Sequence, residues 1–167
     1  DPFTEKLLLE ATLEMCKQDW LVGVQDMGAA GITCSSSEMS AKGECGIKID
    51  LDKVPLREKG MNAYEILLSE SQERMLVVIK KGYEKELNEI YDKWDLLCAE
   101  VGIVTNTGKF EVFKNNTRVA NIPVDTLVLG GGAPQYDMPY TEPKYFSELN
   151  NFKTEDVKQS VVYNENL

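Results

Sequence analysis

Apolar and polar residues repeat with two different periods along this chain, and each change of period marks an element. Leu8, Ala11, Thr12 and Met15 recur at helical spacing, joined by Leu9, Leu13 and Cys16, so the first segment reads as a helix with a wide apolar face turned to the core. Asp1 and Pro2 suit its start, as a capping carboxylate and a proline at the first helical position. An apolar strand over residues 20–24 follows directly and runs into Gln25, Asp26 and the small residues Gly28, Ala29, Ala30 and Gly31, which let the backbone turn tightly. Beyond the turn two helices compete. One begins at Ala29; the other is shorter, capped by Ser35 with Glu38 three residues on, and ends at Gly43. The longer one is favoured, with Ser35, Ser36 and Ser37 on its surface.

Ile47, Ile49 and Leu51 alternate with Lys48, Asp50 and Asp52, the period of a strand with one wet face, which Val54-Pro55 ends. Asn62 and Glu65 form a capping box with Met61 and Ile66 in the staple positions, so a short helix starts there. Residues 75–79, MLVVI, form a strand too uniformly apolar to be an edge open to water. Leu87, Ile90, Tyr91 and Trp94 then mark a helix with one buried face. Residues 99–104, 110–113 and 119–122 read as three strands of a meander, turning at Asn106-Thr107-Gly108 and at Asn115-Asn116. Residues 124–129 form one helical turn before the glycines at 130–132 break the structure. The order predicts an α/β (α+β) fold, a mixed β-sheet with flanking helices over at least one face. Residues 1–132 are expected to be one domain. Residues 133–167, richer in proline and tyrosine, read as an extended linker that packs through Tyr136, Tyr140, Tyr145 and Phe146 on a neighbouring domain.

A chain of 167 residues with 43% apolar and 28% charged residues has enough material for a core without staples, and no apolar run reaches the length of a membrane span. A net charge of −10 argues against nucleic acid, whose recognition rests on basic patches. Cys16, Cys34, Cys45 and Cys98 lack the CxxC spacing, and with no histidine a Cys/His zinc site is excluded. They read as free thiols of a reducing compartment, the cytoplasm. The missing histidine also removes the usual general base and the Ser-His-Asp and Cys-His arrangements. Opening on Asp1-Pro2 without an initiator methionine, the chain reads as a piece of a longer protein.

Two polar stretches stand out as candidate chemistry. Asp26 falls where an apolar strand ends at a glycine-containing turn, a place where a carboxylate can hold a hard cation such as Mg²⁺ against a phosphate. The simpler explanation is that Asp26 caps the next helix. The second stretch, 69–73, puts Ser-Glu-Ser-Gln-Glu between an apolar helix end and an apolar strand, where a plain loop more often uses Gly, Pro or Asn. Glu70, Ser71 and Gln72 offer a carboxylate, a hydroxyl and an amide, a set suited to ribose hydroxyls or an amide-bearing substrate. A solvated turn in which Glu70 caps a neighbour is the competing explanation.

The stretches DPFTEKLLLEA, GVQDMGAAGITCSSSEM and YEILLSESQERMLVV resemble the synthetase subunits of the phosphoribosylformylglycinamidine synthase family, over about residues 1–136. Three separated motifs in the right order make the resemblance specific. It implies the carboxy-terminal domain of the first of two related halves, a domain type shared with aminoimidazole ribonucleotide synthetase, selenophosphate synthetase and thiamine-monophosphate kinase. The compact motifs look more like the small bacterial form, whose glutaminase is a separate chain. Carried over, the family's Mg²⁺ ligand falls on Asp26 and its substrate-binding positions on Glu70, Ser71 and Gln72. Its catalytic histidine, its ATP-contacting lysine and its other Mg²⁺ carboxylates belong to a preceding domain, so no catalytic residue is expected here. Cys34 and Cys45 depart mildly from the family pattern.

The implied reaction joins formylglycinamide ribonucleotide, ATP and glutamine to give formylglycinamidine ribonucleotide, ADP, phosphate and glutamate. ATP activates the formamide oxygen as an iminophosphate, and ammonia displaces the phosphate. Mg²⁺ and ATP are the implied cofactors. A glutaminase subunit, a small accessory subunit and the rest of the chain are the implied partners, and the isolated segment is expected to be inactive. The rival readings are a non-catalytic structural and interaction half-domain, and a related ATP-using enzyme acting on another small molecule.

Overall fold

The computed structural model describes residues 1–128 and 136–157. They fall into two units, 1–135 and 136–167. In the first unit the elements follow the order read from periodicity. Helix α1 (Pro2–Met15) leads to β1 (Leu21–Asp26), α2 (Gly31–Lys42), β2 (Gly46–Asp50), α3 (Ala63–Leu68), β3 (Met75–Ile79), α4 (Glu84–Lys93), β4 (Gly102–Thr105), β5 (Lys109–Lys114) and β6 (Thr117–Pro123), with 3-10 turns at Leu51–Lys53 and Val124–Leu127. The Asp1 carboxylate accepts from the Phe3 N–H at 2.9 Å and caps α1. Asn62 and Glu65 close the capping box of α3 from both sides. The glycines at 130–132 lie outside the described residues.

The strands form two sheets rather than one: an antiparallel pair β1-β3 and a mixed sheet of order β4-β2-β5-β6. This corrects the meander. β2 lies between β4 and β5, antiparallel to the first and parallel to the second, and only β5 and β6 form a hairpin. Two glycines make the arrangement fit. A Cβ on Gly46 would stand 2.6 Å from the hydroxyls of Thr105 and Thr107, so the connection from β4 to β5 crosses over the start of β2 where a side chain is missing. A Cβ on Gly102 would overlap the Lys48 carbonyl oxygen, so β4 closes on β2 through another bare position. The apolar residues of β2 belong mid-sheet, and Ile47 and Ile49 are buried there while Lys48 is exposed.

Strand β3 pairs only with β1 among the described residues, so it is a sheet edge after all. Its apolar residues are covered from the faces instead: Leu76 is buried, and Val77 and Ile79 pack against Met15, Trp20, Leu87, Ile90 and Tyr91. Helix α1 contributes a narrower stripe than its sequence predicts, because Ala11 and Met15 are buried whereas Leu9, Leu13 and Cys16 are exposed. All four cysteines are free.

Helix α2 packs against β1, β2, α3 and the 3-10 turn at Val124–Leu127. Ile32 joins Ile47, Ile49, Leu51, Ile66, Phe110, Val112 and Val124 in the larger core. Here the expectation of surface serines fails: Ser35, Ser36, Ser37 and Ser40 are all at most 2% exposed. Each of the first three hydroxyls donates to a carbonyl of its own helix, Ser35 to Gly31 at 3.0 Å, Ser36 to Ile32 and Ser37 to Thr33 at 2.7 Å. A small side chain that satisfies itself on its own backbone is buried at little cost and leaves room for close neighbours.

The second unit comprises residues 136–167. It is not wholly extended, since residues Phe146–Asn151 form the short helix α5 and Thr154–Asp156 a 3-10 turn. Tyr136, Tyr140, Tyr145 and Phe146 are exposed. No described helix is long and apolar enough to cross a membrane.

Candidate functional site

Strand β1 ends at Asp26, and its antiparallel partner β3 begins opposite it at Met75. Turn 27–30 and loop 69–74, distant in sequence, therefore leave the same end of one ladder side by side. Two hydrogen bonds join them, and two more secure their flanks. The Met27 N–H donates to the Arg74 carbonyl at 3.1 Å, extending the ladder. The Ala30 N–H donates to Glu70 Oε1 at 3.1 Å. Arg74 Nη2 donates to the Ser69 carbonyl, which also lies against Gly31, where a Cβ would overlap its oxygen. One turn into α2, Thr33 Oγ1 donates to the Leu67 carbonyl at 3.1 Å. Ala30 and Gly31 have φ of 57° and 49°, so the chain enters α2 through a left-handed corner that delays the helix to Gly31.

Between turn and loop lies a groove of about 450 Å³. Asp26, Met27 and Gly28 line one side, and Glu70, Ser71, Gln72, Glu73 and Arg74 the other. The structure thus brings all four residues singled out in the sequence, Asp26, Glu70, Ser71 and Gln72, to one cavity. Asp26 does not cap the following helix: α2 has Ala30 at its N-cap and no side-chain cap bond. Instead Asp26 Oδ1 accepts from Gln25 Nε2 at 3.1 Å, and the same amide donates to Glu38 Oε2 at 3.1 Å. Glu38 Oε1 in turn accepts from the Cys34 thiol at 3.2 Å, so Glu38 serves this chain of contacts and not a capping box with Ser35. Burial, and after it the Glu38 carboxylate, push the Cys34 thiol up. Glu70 does cap a neighbour, Ala30, through one oxygen. The side chains of Ser71 and Gln72 are exposed and make no hydrogen bond to another described residue.

Residues 1–115 match the family described as AIR synthase related protein, C-terminal domain. The chain belongs to that family. It is 56% identical over 165 residues to the phosphoribosylformylglycinamidine synthase subunit PurL of Leptospira biflexa, covering 97% of this chain and 22% of the relative. Solved structures of T. maritima PurL complexed with ATP and with FGAR are each 41% identical, with a TM-score of 0.76 over 86% of this chain and 24% and 23% of theirs. The structure of PurLQS from Thermotoga maritima is 40% identical with a TM-score of 0.74, covering 86% of this chain and 24% of that one. The chain therefore spans less than a quarter of the length of these relatives.

The donor set of this AIR synthase-related domain bears on what the groove can hold. No group of three or more His, Cys, Asp or Glu side chains fit to hold a metal occurs among the described residues. Mg²⁺, however, is commonly held by one or two carboxylates, waters and substrate phosphates rather than by a protein cage. With Oδ1 engaged by Gln25, Asp26 has Oδ2 left, and a Cβ on Gly28 would stand 3.5 Å from it. One carboxylate of this kind fits a shared Mg²⁺ and not a self-contained metal site.

Three residues of the domain's site escape a reading by residue type. Gln25 holds Asp26, Gly31 leaves space for the Ser69 carbonyl, and Arg74 grips that carbonyl. Burial lowers the Arg74 guanidinium from its ordinary value, with the Glu70 carboxylate acting in the opposite sense, and its Nε is buried without a partner among the described residues. The available signal was the position of an arginine between a polar loop and an apolar strand, where its charge is out of keeping with MLVVI.

Proposed function

We propose that this chain is a segment of phosphoribosylformylglycinamidine synthase, an ATP-dependent C–N ligase of purine biosynthesis. In this reading Asp26 is a Mg²⁺ ligand, and Glu70, Ser71 and Gln72 bind formylglycinamide ribonucleotide. The observation that carries it is the convergence of two motifs, more than forty positions apart, on one groove. High identity to PurL, and the ATP and FGAR complexes of the T. maritima protein, support the same enzyme and its ligands.

The charges of the groove favour the pairing of cation and ribonucleotide. Asp26, Glu70 and Glu73 face a single guanidinium, Arg74, which already donates to Ser69. An anionic phosphate would meet net repulsion there. Mg²⁺ at Asp26 would neutralise phosphate charge and remove that repulsion. Ser71 and Gln72 have uncommitted donors and acceptors for ribose hydroxyls and the amide of the substrate. Glu70 contributes by holding the turn as well as by its second oxygen. None of these groups supplies a nucleophile or a base, so the segment positions and neutralises while the remaining domains carry the bond-making groups, and 167 residues alone turn over no substrate. In this reading the enzyme is cytoplasmic, and its partners are a glutaminase subunit, a small accessory subunit and the rest of its own chain; the similarity to the solved PurLQS structure supports an assembly with other subunits.

Substrate saturation in the complete enzyme tests the reading. Ser71→Ala and Gln72→Ala are each expected to raise the KM for formylglycinamide ribonucleotide about 10-fold, the loss of a hydrogen bond to a polar ligand group, with the KM for ATP unchanged. An unchanged ribonucleotide KM in both variants overturns it.

A further inference from the structure

We propose that Arg74 is a positioning residue for the substrate site, locking loop 69–74 against the start of α2 so that Ser71 and Gln72 are held across the groove from Asp26. The inference rests on the substrate-binding reading of that groove. Arg74 makes one bond across to the turn and one within its own loop, at the corner beside Gly31. Its backbone carbonyl accepts the Met27 N–H at 3.1 Å, and its Nη2 donates to the carbonyl of Ser69, five residues back. That carbonyl sits in a corner made by Gly31, where a Cβ would overlap it and stand 3.2 Å from Nη2. Carbonyl, guanidinium and glycine thus form one contact at the base of the loop. Glu70 ties the next position to the Ala30 N–H at 3.1 Å. Glu73, at the other side of the tip, takes a left-handed φ of 60°, so the loop closes tightly on its own base.

The loop is held at its base and uncommitted at its tip. Ser71 and Gln72 have no hydrogen-bond partner among the described residues, yet their backbone is fixed from both ends. That arrangement presents donors to a ligand already in place, which lowers the ordering cost of binding. The state of Arg74 fits this task better than a solvated surface role. Its guanidinium is partly desolvated and its Nε is buried without a partner, a cost that an arginine kept only for charge would avoid by turning to water. What lysine lacks here is the planar fork that reaches a carbonyl while filling the space beside Gly31.

Kinetics of the complete enzyme with its glutaminase partner, together with thermal midpoints measured with and without formylglycinamide ribonucleotide, test the assignment on Arg74→Lys and Arg74→Ala beside Ser71→Ala and Gln72→Ala. Arg74→Lys keeps a positive charge near Glu70 and removes the fork. It is expected to raise the ribonucleotide KM about 10-fold, with the ATP KM within about twofold and a smaller ribonucleotide-induced rise in midpoint; Arg74→Ala is expected to show a larger effect of the same kind. If the Ser71 and Gln72 variants raise the ribonucleotide KM while the Arg74 variants only lower the midpoint, Arg74 is a structural staple and the assignment falls, the substrate reading standing. If none of the four variants changes that KM, the substrate reading falls and takes the assignment with it. Should Arg74→Ala not fold, Arg74→Lys carries the same decision.

Discussion

Asp26→Asn in the complete enzyme is expected to slow formylglycinamidine ribonucleotide formation on the order of 100-fold, with partial recovery at high Mg²⁺. The substitution is close to isosteric and retains an oxygen able to accept from Gln25 Nε2, the one hydrogen bond the Asp26 carboxylate accepts among the described residues. What it removes is the charge. Because Ala30 and not Asp26 stands at the N-cap of α2, the change costs the fold little, within about 0.5 kcal/mol for an exposed side chain. A folded but slow variant therefore points to lost cation binding rather than a lost cap. Rate measurements across a Mg²⁺ titration, with the thermal midpoint alongside, check the outcome. An unchanged rate at every Mg²⁺ concentration would make this groove a brace.

The other large effect is expected at Gly31. Gly31→Ala places a methyl group on the Ser69 carbonyl oxygen at a residue whose φ is +49°. Backbone cannot swing aside as a flexible side chain does, so the loop must move or the corner must open. A loss of about 2–4 kcal/mol follows, combining left-handed strain with the overlap. Gly60→Ala is the matched control. Gly60 also has a left-handed φ, +80°, but a Cβ there meets nothing within 4 Å. Its cost is the conformational part alone, about 1 kcal/mol. Thermal midpoints of the complete protein should therefore fall by several degrees more for the Gly31 variant than for the Gly60 variant, and equal falls would contradict the packing described at the corner.

The contrast between those glycines shows what a single sequence tells and what it conceals. Periodicity located the elements because spacing is local: the stripe of Leu87, Ile90 and Tyr91 and the alternation of Ile47 and Ile49 are visible within a few residues. Strand order is not local. The insertion of β2 between β4 and β5 depends on Gly46 and Gly102, whose significance appears only once the atoms that would meet their side chains are in place. Hydropathy likewise sends Ser35, Ser36 and Ser37 to the surface, since it cannot count hydroxyls satisfied by their own helix. Leu9 and Leu13 fail in the opposite direction, apolar yet exposed.

The site divides along the same line. Asp26 and the Glu70, Ser71 and Gln72 cluster were recognisable as residue types out of keeping with their surroundings, and again through the motifs of a family. Their meeting in one groove, and the parts played by Arg74, Gly31 and Gln25, depend on contacts between segments about forty residues apart, such as Ala30 with Glu70. No periodicity encodes such a pair.

Amide hydrogen exchange of the complete subunit, with and without formylglycinamide ribonucleotide in the presence of Mg²⁺, tests most directly whether this groove is the ribonucleotide site. Binding between the two walls is expected to slow exchange in residues 27–31 and 69–74 together, and to do so much less in the Gln72→Ala variant at the same ligand concentration. Protection elsewhere in the subunit with both stretches unchanged would place the ribonucleotide outside this groove and contradict the function proposed for it.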